Sequence, residues 1–188
     1  MNIRYIVYSI VCLLILSACS GNPPVDNKVD PFLFTDQNEE PFGTKDLNGT
    51  IWIANFIFTN CETVCPPMMS EMASLQKVIE ENNLKVEFVS FTVDPNLDTP
   101  KVLKEYIQLF TNNETNWHIL TGYSQEEIED FAREQFQTIV QKPVTSNQVI
   151  HGKNFYLVDD QGYVLNEYNY IDESYVEEIV KKINEIYK

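Results

Sequence analysis

Short, nearly continuous apolar runs alternate along the chain with longer stretches whose apolar residues recur every three or four positions, the pattern of buried strands separated by one-sided helices. Ile51 to Phe58 (IWIANFIF) is rich in β-formers and almost free of polar side chains, so it predicts a central strand buried on both faces. Val86 to Val93 (VEFVSFTV) predicts a second buried strand, stopped by Asp94-Pro95. Between them Met68, Met72, Leu75 and Ile79 fall on one helical face, and Pro66 suits a first helical turn. Thr99-Pro100 supplies a cap and first position for another helix, expected to run through Phe110.

Further along, Trp117 to Leu120 predicts a short strand, and Ser124-Gln125-Glu126-Glu127 is a capping box opening a helix that carries Ile128, Phe131 and Ala132. Phe155 to Asp159 and Tyr163 to Tyr168 flank the turn Asp160-Gln161-Gly162 as a hairpin. Val176, Ile179, Val180, Ile183 and Ile186 share a face of a closing helix. Upstream, Phe32-Leu33-Phe34, the turn-like Asp36-Gln37-Asn38 and Phe42 suggest an opening hairpin. Strands joined by helical crossovers pair in parallel, and the late hairpin adds antiparallel strands. The expected fold class is α/β: a thioredoxin-like fold with a central mixed sheet flanked by helices and an N-terminal hairpin extension.

The chain's 188 residues, 44% of them hydrophobic, suffice for one ordinary core and not for two. That core is expected over residues 31–188. Residues 1–18 combine one basic residue, Arg4, with an apolar run from Tyr5 to Leu16, short for a spanning helix and right for a signal-peptide core. The end of that run, Leu16-Ser17-Ala18-Cys19, resembles the lipobox of bacterial lipoproteins. The resemblance implies that Cys19 is lipidated and becomes the mature N-terminus, so that a lipid anchor holds the protein on the extracytoplasmic face of a bacterial cell membrane. Ordinary secretory cleavage or an uncleaved anchor is the plainer alternative. Residues 19–30, polar and with adjacent prolines at Pro23 and Pro24, read as a flexible tether.

A net charge of −15 opposes binding to nucleic acid or to anionic lipid, both of which would be repelled. It also serves simple solubility. Of the four cysteines, Cys12 lies in the signal core and Cys19 at the anchor, leaving Cys61 and Cys65 for the domain. One closely spaced pair is no disulfide scaffold and points instead to redox or metal chemistry.

Cys61-Glu62-Thr63-Val64-Cys65 places two thiols about one helical turn apart where a strand hands over to a helix. A helix N-terminus favours thiolates. The spacing opens a wider bite than CxxC, as a metal ion needs. His151, at the end of the polar stretch Lys142 to Asn154, would face that helix N-terminus in this topology. Two thiolates and an imidazole suit Cu(I) and can hold Cu(II); zinc accepts the same ligands. A lone histidine is more often structural, and His118 is read that way. Met68 fits the core face of its helix, whereas Met69 is the more exposed sulfur and a candidate for transient copper contact.

Three segments together resemble the Sco/SenC family of copper-binding cytochrome c oxidase assembly proteins: Thr59-Asn60-Cys61-Glu62-Thr63-Val64-Cys65-Pro66, Val93-Asp94-Pro95-Asn96-Leu97-Asp98-Thr99-Pro100, and Val149-Ile150-His151 ahead of Phe155-Tyr156-Leu157-Val158. The resemblance covers roughly Asp30 to Lys188. It implies a thioredoxin-like fold, copper held by Cys61, Cys65 and His151, and a role in maturing the dinuclear copper centre of cytochrome c oxidase subunit II. It also implies that Asp94 tunes the site from behind the ligands, where the residues alone favour a turn-initiating Asp before Pro. Two positions depart from the family pattern: Ile150 stands where many members have Asp, and Gly152 where Ser or Thr is common.

The implied partners are the oxidase subunit, the membrane through Cys19, and a copper donor or thiol reductant. The competing readings are a thiol-disulfide reductase or peroxidase-like enzyme, and a redox sensor. Thioredoxin-type reductases carry a proline opposite their cysteines; here His151 takes that neighbourhood and the nearest upstream proline is Pro143, which favours metal binding.

Overall fold

The computed structural model describes residues 27–187. The expected signal segment 1–18, Cys12 and the lipidation site Cys19 lie outside the described residues. No described helix is long and apolar enough to cross a membrane.

The apolar run at Ile51 forms β3 (Ile51–Ile57), every residue of which is buried. It pairs in parallel with β4 (Val86–Thr92), Ile51 opposite Val86 and Ile57 opposite Thr92. β4 pairs in parallel with β5 (Trp117–Leu120). On its other side β3 pairs antiparallel with β8 (Asn154–Val158), which continues by the expected hairpin into β9 (Val164–Asn169). The five-stranded order is therefore β5-β4-β3-β8-β9. The two parallel connections run through α1 (Cys65–Glu81) and α2 (Pro100–Ile107), as parallel pairing demands.

Strand alternation assigns the two faces of the sheet. Phe56 and Phe91 face α3 (Gln125–Phe136), with Phe56 to Phe136 centroids 5.3 Å apart and Phe91 to Phe131 at 5.1 Å. Burying each such ring contributes about 1.5–3 kcal/mol. Asn55 points the other way, its Nδ2 reaching Met69 Sδ at 3.9 Å, so α1 covers the opposite face. There α4 (Tyr175–Ile186) joins it, with Tyr175 OH donating to Glu71 Oε2 at 2.8 Å. Helices thus flank both faces of a mixed sheet, the expected thioredoxin-like arrangement.

The N-terminal extension is the expected hairpin, β1 (Leu33–Thr35) with β2 (Pro41–Gly43). Its turn covers the exposed edge of β5, where unpaired backbone groups invite aggregation. Gln37 acts there as a surrogate strand: Nε2 donates to the Trp117 carbonyl at 2.8 Å and Oε1 accepts from Ile119 N at 2.7 Å. His118, on β5, stacks on Phe42 with centroids 3.7 Å apart and has Nδ1 3.3 Å from Asp36 Oδ2, a structural role as read.

Three local features differ from the expectation. The helix begun at Pro100 ends at Ile107, because Leu109 N and Phe110 N bond to the carbonyls of Tyr106 and Ile107 and tighten the last turn. Asn27 to Asp30, assigned above to the tether, pack on the domain: Val29 is 2% exposed, and Val164 N donates to the Asn27 carbonyl at 2.9 Å. A single apolar residue among polar ones gives no periodicity to reveal this. Finally, the polar stretch before Asn154 is bracketed by a small ladder, β6 (Val140–Gln141) antiparallel to β7 (Ile150–His151), so His151 sits on a strand.

Candidate metal centre

β3 delivers the chain to Thr59, and a turn closed by Cys61 N to the Phe58 carbonyl (3.3 Å) leads into α1. No side chain caps α1 at its N-cap residue Val64. The first N–H groups of a helix lack intrahelical partners. One of them, Cys65 N, donates instead to Cys61 Sγ at 3.3 Å, so the sulfur fills a capping position. Both cysteines are free and buried.

His151 reaches this turn from β7, with Nε2 3.3 Å from Cys65 Sγ. Its Nδ1 lies 2.7 Å from the Gly152 carbonyl, which can only accept, so Nδ1 carries the proton. In the neutral ring Nε2 then presents its lone pair to the sulfurs, the tautomer a metal ligand needs. The edge of the ring stands against Phe58, centroids 5.6 Å apart. Ligand atoms of Cys61, Cys65 and His151 all lie within 4.8 Å of one another.

The two sulfurs share their protons unequally. The Cys65 thiol donating to Cys61 lowers the Cys61 pKa, as do the backbone N–H groups of Cys65 and Thr63, against the opposing effect of burial. The thiolate on Cys61 and burial push Cys65 up.

A buried acid, Asp98, braces this loop. It is fully buried, accepts from Thr59 N at 3.2 Å and Thr59 Oγ1 at 2.5 Å, and also accepts from Thr92 Oγ1. It thereby ties the end of β3 to the end of β4. Burial raises its pKa, and the three donors partly offset that. Asp94 is also fully buried, but its Oδ1 meets Lys142 Nζ at 2.6 Å. Tyr106, on α2, is buried with a hydroxyl that has no partner among the described residues, its pKa raised by burial and by charge on Cys65 and Cys61.

Of the sequence candidates, the structure brings Cys61, Cys65 and His151 together and sets Asp94 against the histidine-bearing arm. It does not expose Met69. That side chain is fully buried and engaged by Asn55, so it offers no surface sulfur, a correction to the expectation above. Met68 is buried on the core face as read. Sequence reasoning missed Asp98, Lys142 and Tyr106. Asp98 lay within a segment singled out above, but its neighbour Asp94 took the role; nothing near Lys142 or Tyr106 signals one. A cleft of about 580 Å³ between Lys28–Leu33 and Trp52 opens at the far end of β3, and its lining has neither Cys nor His.

A thioredoxin-like domain with two cysteines at the β3–α1 turn and a histidine facing them defines a class of soft-metal or redox protein. The SCO1/SenC family model matches residues 21–188, and the chain belongs to that family. It is 43% identical to a SCO1 protein homolog of Bacillus subtilis (strain 168) over 173 residues, 90% of each chain. The solved structure of a SCO1/SenC family lipoprotein from Bacillus anthracis str. Ames superposes with a TM-score of 0.84 at 47% identity, covering 90% of this chain and all of that one. Yeast Sco1 with copper bound superposes with a TM-score of 0.70 at 26% identity, over 84% of this chain and 88% of that one.

Proposed function

We propose that this protein is a copper-binding assembly factor that helps mature the dinuclear copper centre of cytochrome c oxidase subunit II. Copper is its cargo, held by the thiolates of Cys61 and Cys65 and by Nε2 of His151. One observation carries the reading: three soft or borderline donors converge within 4.8 Å, with the imidazole already in the ligand tautomer. Copper-bound yeast Sco1, similar over most of this chain, supports copper over zinc. Two thiolates are soft donors suited to Cu(I), and with the imidazole they also suit Cu(II), whose charge they neutralise.

The likeness to a Bacillus anthracis lipoprotein supports lipidation at Cys19, residues 1–18 as signal peptide, and a tether that ends where the packed chain begins. The domain would then work at the extracytoplasmic face of a bacterial cell membrane, beside a membrane-bound acceptor, resupplied by a copper donor or a thiol reductant.

A second reading is favoured by the lowered Cys61 pKa. As a thiol-disulfide reductase, the Cys61 thiolate attacks a partner disulfide and expels one partner thiolate. Cys65, once deprotonated, then attacks the Cys61 sulfur, leaving the Cys61–Cys65 disulfide and a reduced partner dithiol.

Titration of the purified reduced protein with Cu(II) and Cu(I) separates the two. The copper reading expects one tightly held copper with an intense sulfur-to-copper charge-transfer band in the Cu(II) form; the band should vanish in His151→Ala and in Cys61→Ser/Cys65→Ser. Weak binding indifferent to His151, together with turnover of disulfide substrates, would transfer the assignment to the reductase.

A further inference from the structure

The arm that carries His151 meets the body of the domain partly through an ion pair whose carboxylate is buried. Lys142 directly follows β6. Its Nζ lies 2.6 Å from Asp94 Oδ1, and its backbone N–H donates to Glu129 Oε1 of α3 at 2.9 Å. Lys142 is thus pinned twice, by side chain to the end of β4 and by main chain to α3. The Asp94 side chain is 1% exposed, and its second oxygen has no hydrogen-bond partner in the described residues. A carboxylate so far from water depends on its one cation. By contrast, the tie from Gln148 Nε2 to the Asn60 carbonyl, 3.2 Å, is exposed, and water can replace it.

Strand register carries this clamp to the metal donors. Val140 pairs with His151 and Gln141 with Ile150, a ladder too short to stand by itself. Holding Lys142 therefore holds β6, and β6 sets where the imidazole sits over Cys65.

We propose that Lys142 and Asp94 form a latch that positions His151, so that Asp94 reaches the metal centre through Lys142 and the arm. The latch itself is independent of the cargo. Its functional consequence rests on the copper reading: with the latch closed, copper keeps its imidazole; with it open, two thiolates retain Cu(I) and leave a coordination position for an acceptor's ligand. Lys142 is in this sense a positioning residue for cargo release.

Lys142→Met alone would strand a buried carboxylate and endanger folding, so the informative variant is Asp94→Asn/Lys142→Met, with Lys142→Arg as the conservative rescue. In the full-length reduced protein without metal, amides of Val149 to Gly152 in the double variant should exchange at least about tenfold faster than in wild type, while those of β3 and β4 stay unchanged. Lys142→Arg should remain near wild type. With Cu(I) loaded, transfer to bathocuproine disulfonate should accelerate by about tenfold or more in the double variant, the scale typical of groups that orient metal ligands. Unchanged exchange at Val149 to Gly152, or acceleration spread equally over β3 and β4, would overturn the latch. Faster arm exchange with unchanged copper release would overturn its positioning role. A wild-type protein that holds no copper would remove the copper reading, while the exchange result still judges the latch.

Discussion

Cys61 and Cys65 sit on a turn that is braced from beneath, whereas His151 sits on a two-residue strand clipped on from the side. The cysteine turn is tied by Cys65 N to the Cys61 sulfur, by Cys61 N to the Phe58 carbonyl, and by Asp98 gripping Thr59 and Thr92. All of these lie where β3 and β4, the two central strands, end and α1 begins. The arm's polar ties are one ion pair buried at its Asp94 end, one main-chain bond to α3 and one exposed amide contact, beside the packing of Val140 and Val149. A donor set so divided has a fixed half and a movable half. That suits a protein that must hold a metal ion and then surrender it, since one ligand can leave while two keep the ion from solution.

The comparison would break most severely at the cysteines. Cys61→Ser/Cys65→Ser should lower Cu(I) affinity by more than about 100-fold, beyond what removing an orienting neighbour of a ligand costs. Competition against a chelator of known affinity reads this directly. Retained tight binding would show that the fixed half of the site is not where copper is held.

The brace comes next. Asp98→Ala strands one buried backbone N–H and two hydroxyls, and should lower unfolding stability by about 2 kcal/mol, read from urea denaturation. Burial has raised the Asp98 pKa, so its ionised form is the costly one in the fold. Its stabilising contribution is therefore full below the ordinary Asp value and declines as pH rises through the raised folded value. The deficit of the variant should accordingly be greater in mild acid than at neutral pH. The opposite trend would mean that Asp98 acts as a paired charge and not as a buried hydrogen-bond hub.

The same division explains what the sequence disclosed. The apolar run of β3, the proline-opened α1, the Thr99 cap and the Ser124 capping box are written within a few residues, and each forms as expected; Thr99 Oγ1 accepts from Val102 N, and the Ser124–Glu127 box is reciprocal. The cysteine turn is equally local, and residue type and spacing narrow it to redox or metal chemistry, with copper implied only by the family resemblance. The arm is not written locally. β6 and β7 are two residues each, too short for any period to register, and Lys142 finds Asp94 across 48 positions of sequence. Between Asp94 and Asp98, only the tertiary placement of Thr59 and Thr92 decides which acid serves the loop. Met69 misled because adjacent helix positions point about 100° apart, which removes it from the Met68 face but not from the core, where Asn55 meets it.

The movable half should yield more gently. His151→Ala leaves both thiolates, so Cu(I) affinity should fall by only about tenfold, while the Cu(II) form loses its band, because imidazole matters more to Cu(II) than to Cu(I). A loss as large as that of the cysteine double variant would make the histidine an equal partner and erase the distinction between halves.

The smallest expected effect tests why glycine stands at position 152 of this arm. A Cβ placed there would collide with Thr138 Oγ1, so glycine is required by what lies opposite it and not by its own backbone, whose φ is not in the left-handed region. Thr138 is 9% exposed and β-branched, so it has little room to turn aside. Gly152→Ser should cost about 1–2 kcal/mol, the usual range for overpacking. In a Thr138→Ala background the obstructing oxygen is gone and the Thr138 Cβ stands at an ordinary 3.7 Å, so the cost should shrink by about 1 kcal/mol, a coupling that a double-mutant cycle in urea measures. If the two substitutions are instead additive, the glycine serves the Gly152 carbonyl that holds His151 Nδ1, and the arm is set by that hydrogen bond more than by its packing.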